Sequence, residues 1–446
     1  MNDPTIITKI SEFFNNSLLS ALRAPFDLIL EGDLHQGEHL IMNSVLSLHD
    51  YILGLLLPAA ARRYNEDHEA PQGCSQRLRP HSICLCTGTT VEVCSPYYHR
   101  VSADYNQGRR PLLGHWNIVG QASPLLCDRT AFMAMIAPSY ELANQGLKKF
   151  SVDICTSSTR KITTLLADRC NEVGEQNLIV PKGFTLADKR VVISLDGGRS
   201  RLREYTGELN ERGNPRYATP WREPKLFVID ILDKEGRPDR HELPIYGCRF
   251  AEHDVLENLR TYLHKFHIGQ AQQVQLIADG ATWIWKEVPD LLTGLGVTKN
   301  NLVQTLDYYH ASHYAHEVVK NMPRRISQKK RAELLNSFKS LLDKGNPAKV
   351  VEEIVSVYKR PGEIIKRYIN YLRKHIERMQ YAHYKELGLM CGSGIIESAV
   401  RRIINLRFKN SSTFWNQPSL EKLYFLRGAL LSKRWDIVMN NLFKPA

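Results

Sequence analysis

Residues 190–197 read RVVISLDG. Four β-branched or apolar residues within six positions, closed by an acid and a glycine, make a short run typical of a buried strand. The pattern repeats outward from it. KLFVIDILD (225–233) and LPIYGCRF (243–250) read as a second and third strand. HDVLENLRTYLHKF (253–266) has helical spacing, VQLIADGATWIW (274–285) is a strand that ends in an acid and runs into a helix, and NLVQTLDYYHASHYAHEVV (301–319) is strand, acid and helix again. Three strands on short connections followed by strand–helix alternation predict an α/β fold, a mixed sheet flanked by helices. Residues 314–390 are wholly helical and rich in Lys and Arg, as in PRRISQKKRAELL and KRPGEIIKRYINYLRKHIERM. They form an all-α insertion that divides a core of 189–313 from its end at 391–446.

The amino-terminal part has another character. ISEFFNNSLLSALRA and LIMNSVLSLHDYILGLLLPAAARRY carry apolar residues at helical spacing, and SICLCTGTTVEVCSPYYHRV reads as short strands with turns at Gly88 and Gly108. Residues 1–120 are therefore expected to be a helical and β region for DNA binding or dimerisation. Residues 121–188 are expected to be helical. Within them SYELANQGLKKFS and TSSTRKITTLLADRC, with Arg160 and Lys161 near the start of the second helix, fit a DNA-reading helix-turn-helix and equally a plain antiparallel helix pair.

Composition narrows the partner. The chain has 446 residues, a net charge of +12 and a pI of about 9.2. That length calls for two or three domains, and that charge favours a polyanion, most often nucleic acid. The longest apolar run, YILGLLLPAA, is short for a bilayer and holds Pro58, and the amino end lacks a basic leader. Nine cysteines at irregular spacings do not suggest a disulfide framework, so a reduced cytoplasm is expected. Cys74, Cys84, Cys86 and Cys94 are spaced C-x9-C-x-C-x7-C, unlike the close pairs of a structural zinc site, and zinc is not expected.

Three strands end in aspartates: Asp196, Asp279 and Asp307. Strand ends of such a sheet face one crevice. An acid after an apolar strand can equally be a turn residue or the cap of the next helix. Convergence would crowd carboxylates that resist ionisation unless a cation holds them, and oxygen ligands of this kind suit Mg²⁺. A fourth acid, Glu397, stands alone at the start of the basic run GSGIIESAVRRIINLRFK.

In order, SLDGGR, IADGATWIW, DYYHASHYAHE and GSGIIESAVRRIINLRFK, with Trp415 beyond them, resemble the RNase H-like core of DDE transposases. More narrowly, they resemble the Kra-type insertion-sequence transposases, related to Lre-type, ISL-type and Mutator-like groups. The resemblance covers roughly residues 120–435. It implies Asp196, Asp279 and Glu397 as catalytic and metal-ligating residues for two Mg²⁺ ions, for which Mn²⁺ can substitute, and Asp307 and His310 as supporting residues. The triad separations are 83 and 118 residues, the second lengthened by the insertion. It further implies binding of terminal inverted repeats and target DNA, hydrolysis at element ends, transfer of the 3′ hydroxyl to target, and a homodimer or larger assembly on double-stranded DNA. A non-catalytic DNA-binding derivative and a structure-selective nuclease on the same fold are the alternatives.

From Glu397 onward nine basic residues face three acids, which suits a phosphate-binding surface. Arg401 shares a helix face with Glu397. Arg402, Arg407 and Lys409 extend that surface, and Arg199 and Arg201 lie just past Asp196. Trp415 either stacks on an unpaired base or anchors the terminal helices in a core.

Overall fold

The computed structural model describes residues 4–72, 74–100, 108–239, 241–323, 326–358, 360–410 and 413–444. It divides into two compact units, residues 1–172 with 439–446, and residues 173–438. The sequence reading placed the boundary at 188 and assigned the last residues to the core, and the structure differs at both ends. Residues 173–189 are tied into the second unit, where the Leu186 and Asp188 amides donate to the carbonyls of Phe266 and Gln270. In the first unit, the Asn117 side chain donates to the carbonyls of Phe443 and Lys444.

The first unit begins with helices α1 (Pro4–Phe13), α2 (Arg23–Leu30) and α3 (Leu34–Asp67), the last capped by Asp33, whose carboxylate accepts from the Gln36 amide. Strands β1 (Cys74–Cys84) and β2 (Thr90–Arg100) form an antiparallel hairpin. Its apolar face, with Ile83, Leu85, Val91 and Val93, buries Ala61 of α3 and Leu112, and Leu53 and Leu57 of α3 pack against it. By length and composition α3 could cross a bilayer, which the ten-residue apolar run did not suggest. Helices α4 (Pro124–Ile136), α5 (Tyr140–Lys149) and α6 (Thr156–Val173) follow. Buried Asn144 of α5 donates to the Ile154 carbonyl and to Thr159 Oγ1, fixing the turn between α5 and α6.

The second unit is built on strands β3 (Arg190–Gly197), β4 (Lys225–Ile231), β5 (Ile245–Arg249), β6 (Gln273–Ala278) and β7 (Leu302–Leu306). They lie in the order β7-β6-β3-β4-β5. Strand β4 runs antiparallel to β3 and β5, while β3, β6 and β7 are parallel. Val191 to Leu195 and Val274 to Ala278 are buried throughout, as a two-sided apolar run requires. Helices α7 (Glu252–Lys265), α8 (Thr282–Gly294) and α9 (Tyr308–Lys320) follow β5, β6 and β7. The insertion holds α10 (Gln328–Asp343), α11 (Pro347–Val357), α12 (Glu363–Lys374) and α13 (Tyr381–Glu386). The chain returns through α14 (Gly394–Ala399), widens to π-helical winding over Val400–Asn405, and ends in α15 (Gln417–Leu431) and α16 (Trp435–Leu442). Between β3 and β4 lie two small antiparallel ribbons, Glu204–Leu209 with Pro215–Ala218 and Ser200–Arg201 with Trp221–Arg222.

Candidate active site

Register sets the site. Ala278 of β6 lies opposite Leu195 of β3 and opposite Leu306 of β7. The next residue along each of the three strands is an aspartate. Asp196, Asp279 and Asp307 therefore form one row across the carboxyl ends of three adjacent parallel strands.

The three play different parts. Asp307 is fully buried. Its carboxylate caps α9, accepting from the Tyr309 and His310 amides at 3.2 and 3.3 Å. It also accepts from the Ser393 amide at 3.0 Å and pairs with His310 Nδ1 at 2.7 Å. Burial pushes its pKa up, but these hydrogen bonds outweigh burial and hold it below the usual carboxylate range. The Tyr308 amide donates to the Cys391 carbonyl at 2.9 Å, a second tie between the start of α9 and the segment leading into α14. Asp307 thus joins the end of β7, the start of α9 and the approach to α14, and its oxygens are spent on the protein.

Asp196 and Asp279 are half-buried at the crevice. Asp196 accepts from the Gly197 amide, and Asp279 from the Ala281 amide at 2.9 Å. The Asp196 pKa is raised to about 6, by burial first and with help from the charges of Asp279 and Glu223, against the Gly197 hydrogen bond and the His310 charge. His310 is the basic side chain beside these acids. Its bond to Asp307 raises its pKa against burial, and the charges of Asp307, Asp279 and Asp196 add to the rise. A pair of adjacent carboxylates, one of them held back from ionisation by burial and to a lesser degree by the charge of the other, fits a divalent cation, which would relieve the repulsion.

Glu397 is exposed on α14, which packs against β3 and β4, one turn beyond the anchored Ser393. Among the described residues no three His, Cys, Asp or Glu side chains are grouped to hold one ion. The fold brings Asp196 and Asp279 together and sets Glu397 on a helix fixed to the same strand ends, without gathering it to them.

The basic candidates separate by burial. Arg199, Arg401 and Lys409 are exposed, and so are Arg160 and Lys161 in the first unit. Arg201 is half-buried, donates to Thr219 and lies between the Trp221 and Phe414 rings. Half-buried Arg402 donates to the Tyr246 hydroxyl at 3.1 Å. Two expectations need correction. Arg407 is 1% exposed and Trp415 is 7% exposed, so neither offers itself to DNA. The Trp415 ring meets Phe408 edge-on, the Arg407 guanidinium lies over it, and its backbone pairs with Arg201 and Arg203. It is the anchor of the carboxyl-terminal segment.

Two residues escaped the sequence reading. Glu223, paired with Lys225, covers Gly197 so closely that a Cβ there would meet its carboxylate. Tyr371 of α12 lies against Gly280, where a Cβ would come 2.1 Å from the ring. Nothing in the local pattern of either marks it, because both reach the site through tertiary packing.

No protein-family model matches the sequence. No curated protein matches it either. Among solved structures, the Drosophila P element transposase strand transfer complex is similar over 71% of this chain and 81% of that one, at 13% identity and a TM-score of 0.25.

Proposed function

We propose that the second unit is an RNase H-like core and that the protein is a DDE transposase of an insertion sequence. The observation that carries the reading is the aspartate row at the ends of β3, β6 and β7, in a sheet whose second strand alone is antiparallel to its neighbours. Asp196 and Asp279 would hold Mg²⁺, and Glu397 would join them when DNA draws α14 inward. Bound Mg²⁺ would supply Lewis-acid stabilisation of charge on the phosphate and ease deprotonation of the attacking hydroxyl.

The chain's own residues do the rest. Asp307 holds α9 and the lead into α14 at the strand ends. His310, its Nδ1 engaged by Asp307, keeps Nε2 for a phosphate oxygen or the departing 3′ oxygen. Arg199, Arg401 and Lys409 take up backbone phosphates. Water attacks the phosphorus at the element end, the bond to the 3′ oxygen breaks, and that oxygen takes a proton. The new 3′ hydroxyl then attacks a target phosphorus in line and displaces a target 3′ oxygen, with no covalent protein intermediate. Arg160 and Lys161 on α6 would contact the terminal repeats.

The test compares wild type with Glu397→Gln on end-bearing DNA with Mg²⁺. Wild type is expected to nick and join, and the variant to bind and do neither. Equal activity would remove Glu397 from the site. Cutting without joining would make the protein a nuclease, and binding without cutting a DNA-binding derivative. A second readout needs no turnover: Mg²⁺ raises the melting temperature of wild type, and the double variant Asp196→Asn, Asp279→Asn loses that rise.

A further inference from the structure

The chain just past Glu397 is wound in an uncommon way. Over Val400–Asn405 the helix is π-wound, and the Leu406 amide donates to the Arg401 carbonyl, five residues back. A π turn holds an extra residue within an α-helix, and such turns collect at functional sites. The carbonyl that α winding would give to Leu406 is that of Arg402, and it is already engaged. Arg427 of α15, 8% exposed, donates to it from Nε at 3.3 Å and from Nη2 at 3.2 Å. Burial first, and then the charge of Arg402, lower the Arg427 pKa, so holding a cation there has a cost. Beyond the wide turn the chain is fixed, with Arg407 and Phe408 buried. Ahead of it, Gly394 opens α14, and a Cβ there would meet no atom of the described residues within 4 Å. The slack therefore lies on the Glu397 side.

Straightening the wide turn to α winding, with Leu406 held, would move each residue of α14 to the place of the residue before it, about 1.5 Å along the axis and about 100° around it. Glu397, now exposed, would take the place of Ile396, which is 1% exposed. Ile396 would move to the half-buried place of Ile395, Ser398 to the exposed place of Glu397, and Val400 to the buried place of Ala399. Of the fully buried side chains in α14, only the methyl of Ala399 would turn out to solvent. The face that would receive Glu397 suits a carboxylate. Arg402 ties this segment to the Tyr246 hydroxyl. Tyr246 lies opposite Val228, and Val228 opposite Ser194, so Ser194 and Asp196 share the sheet face that the segment covers. Ser194 is fully buried and its hydroxyl has no partner among the described residues, a donor without an acceptor. We infer that Val400–Asn405 is a register switch, latched by Arg427, that keeps Glu397 out of the aspartate row until it straightens. The inference rests on the reading of Asp196, Asp279 and Glu397 as cation ligands and adds what controls the third.

The test needs no turnover. Calorimetric titration with Mg²⁺ alone gives the dissociation constant for the full chain as wild type, Glu397→Gln, Arg427→Met and the double variant. Mass spectrometry follows amide exchange in the peptide that spans Leu406. Glu397 is outside in wild type, so Glu397→Gln is expected to leave the constant within about twofold. Arg427→Met frees the Arg402 carbonyl. It is expected to slow exchange at Leu406 and to lower the constant at least about tenfold, as a third carboxylate joins the ion. The double variant is expected to lose that gain. Mg²⁺ binding by none of the four would overturn the cation reading, and the role of the switch with it. Equal binding by all four, or a gain in Arg427→Met that survives Glu397→Gln, would overturn the switch alone and leave Asp196 and Asp279 as ligands. Should Arg427→Met fail to fold, deletion of Asn405 takes its place. It removes the extra residue and gives α winding with Glu397 held outside. That variant is expected to keep its circular dichroism and the wild-type Mg²⁺ constant, to exchange slowly at Leu406, and to lose cleavage of end-bearing DNA. Cleavage at the wild-type rate would overturn the inference.

Discussion

Asp307 accepts four hydrogen bonds from a fully buried position and leaves no oxygen for a ligand. Asp307→Ala would strand three backbone amides and unpair His310, so a loss of about 3 kcal/mol is expected in urea unfolding. Asp307→Asn, which keeps one acceptor oxygen, should lose less. Asp196 behaves in the opposite way. Its folded pKa, about 6, lies above its unfolded value, so its ionisation opposes folding. The stability it allows is whole below about pH 4 and falls as pH rises through about 6, by about 3 kcal/mol in all. His310, raised toward the charged form by Asp307 and the row, has the same sign: its contribution is present at acid pH and fades as pH rises through its folded pKa. Asp230, raised by burial to about 7, adds to the trend. The melting temperature of the metal-free protein is therefore expected to fall between pH 5 and pH 7.5. Asp196→Asn should shallow that fall, and Mg²⁺ should shallow it in wild type alone. A flat profile in wild type would refute the raised pKa of Asp196.

Each strand of the aspartate row was legible because it is an apolar run closed by an acid, and Val191–Leu195 and Val274–Ala278 are buried from end to end. The ribbons at 200–222 were not, because EYTGEL is polar, largely exposed and without alternation. The aspartates could be listed from sequence, but their division of labour could not. An N-cap and a ligand look alike until the Ser393 amide is seen bonded to Asp307. Arg407 and Trp415 misled because a basic, aromatic segment reads as a surface until α15 and the 200–222 ribbons bury it. Trp415→Ala should therefore cost about 3–5 kcal/mol of stability. Arg199→Ala, Arg401→Ala and Lys409→Ala should leave stability within about 0.5 kcal/mol and each lower the salt slope of DNA binding by about 0.9. The insertion is tied to the site at several residues, among them Tyr381, whose hydroxyl donates to the Leu306 carbonyl at 3.1 Å, and Tyr371. Gly280→Ala pushes a Cβ into the Tyr371 ring and should cost about 1–3 kcal/mol. Adding Tyr371→Ala should make the combined loss smaller than the sum of the two single losses, a coupling that a double-mutant cycle reads directly.

Two compact units, each with its own core, set how the whole molecule should respond to a bound cation. The first unit gathers its core around the β1–β2 hairpin and α3, the second around the five-stranded sheet. Units of this kind unfold as separate transitions unless their interface is large. The aspartate row lies wholly within residues 173–438, so a cation bound there stabilises that unit by RT ln(1 + [L]/Kd) and leaves the other alone. At a hundred times Kd that amounts to about 2.7 kcal/mol, a shift of roughly 5 °C for a unit of this size. Differential scanning calorimetry with and without Mg²⁺ should show the shift in one of two transitions. Asp279→Asn should abolish it without moving the other. If Mg²⁺ moved both transitions equally, cation binding would have to be assigned outside the aspartate row, or the two units treated as one cooperative body.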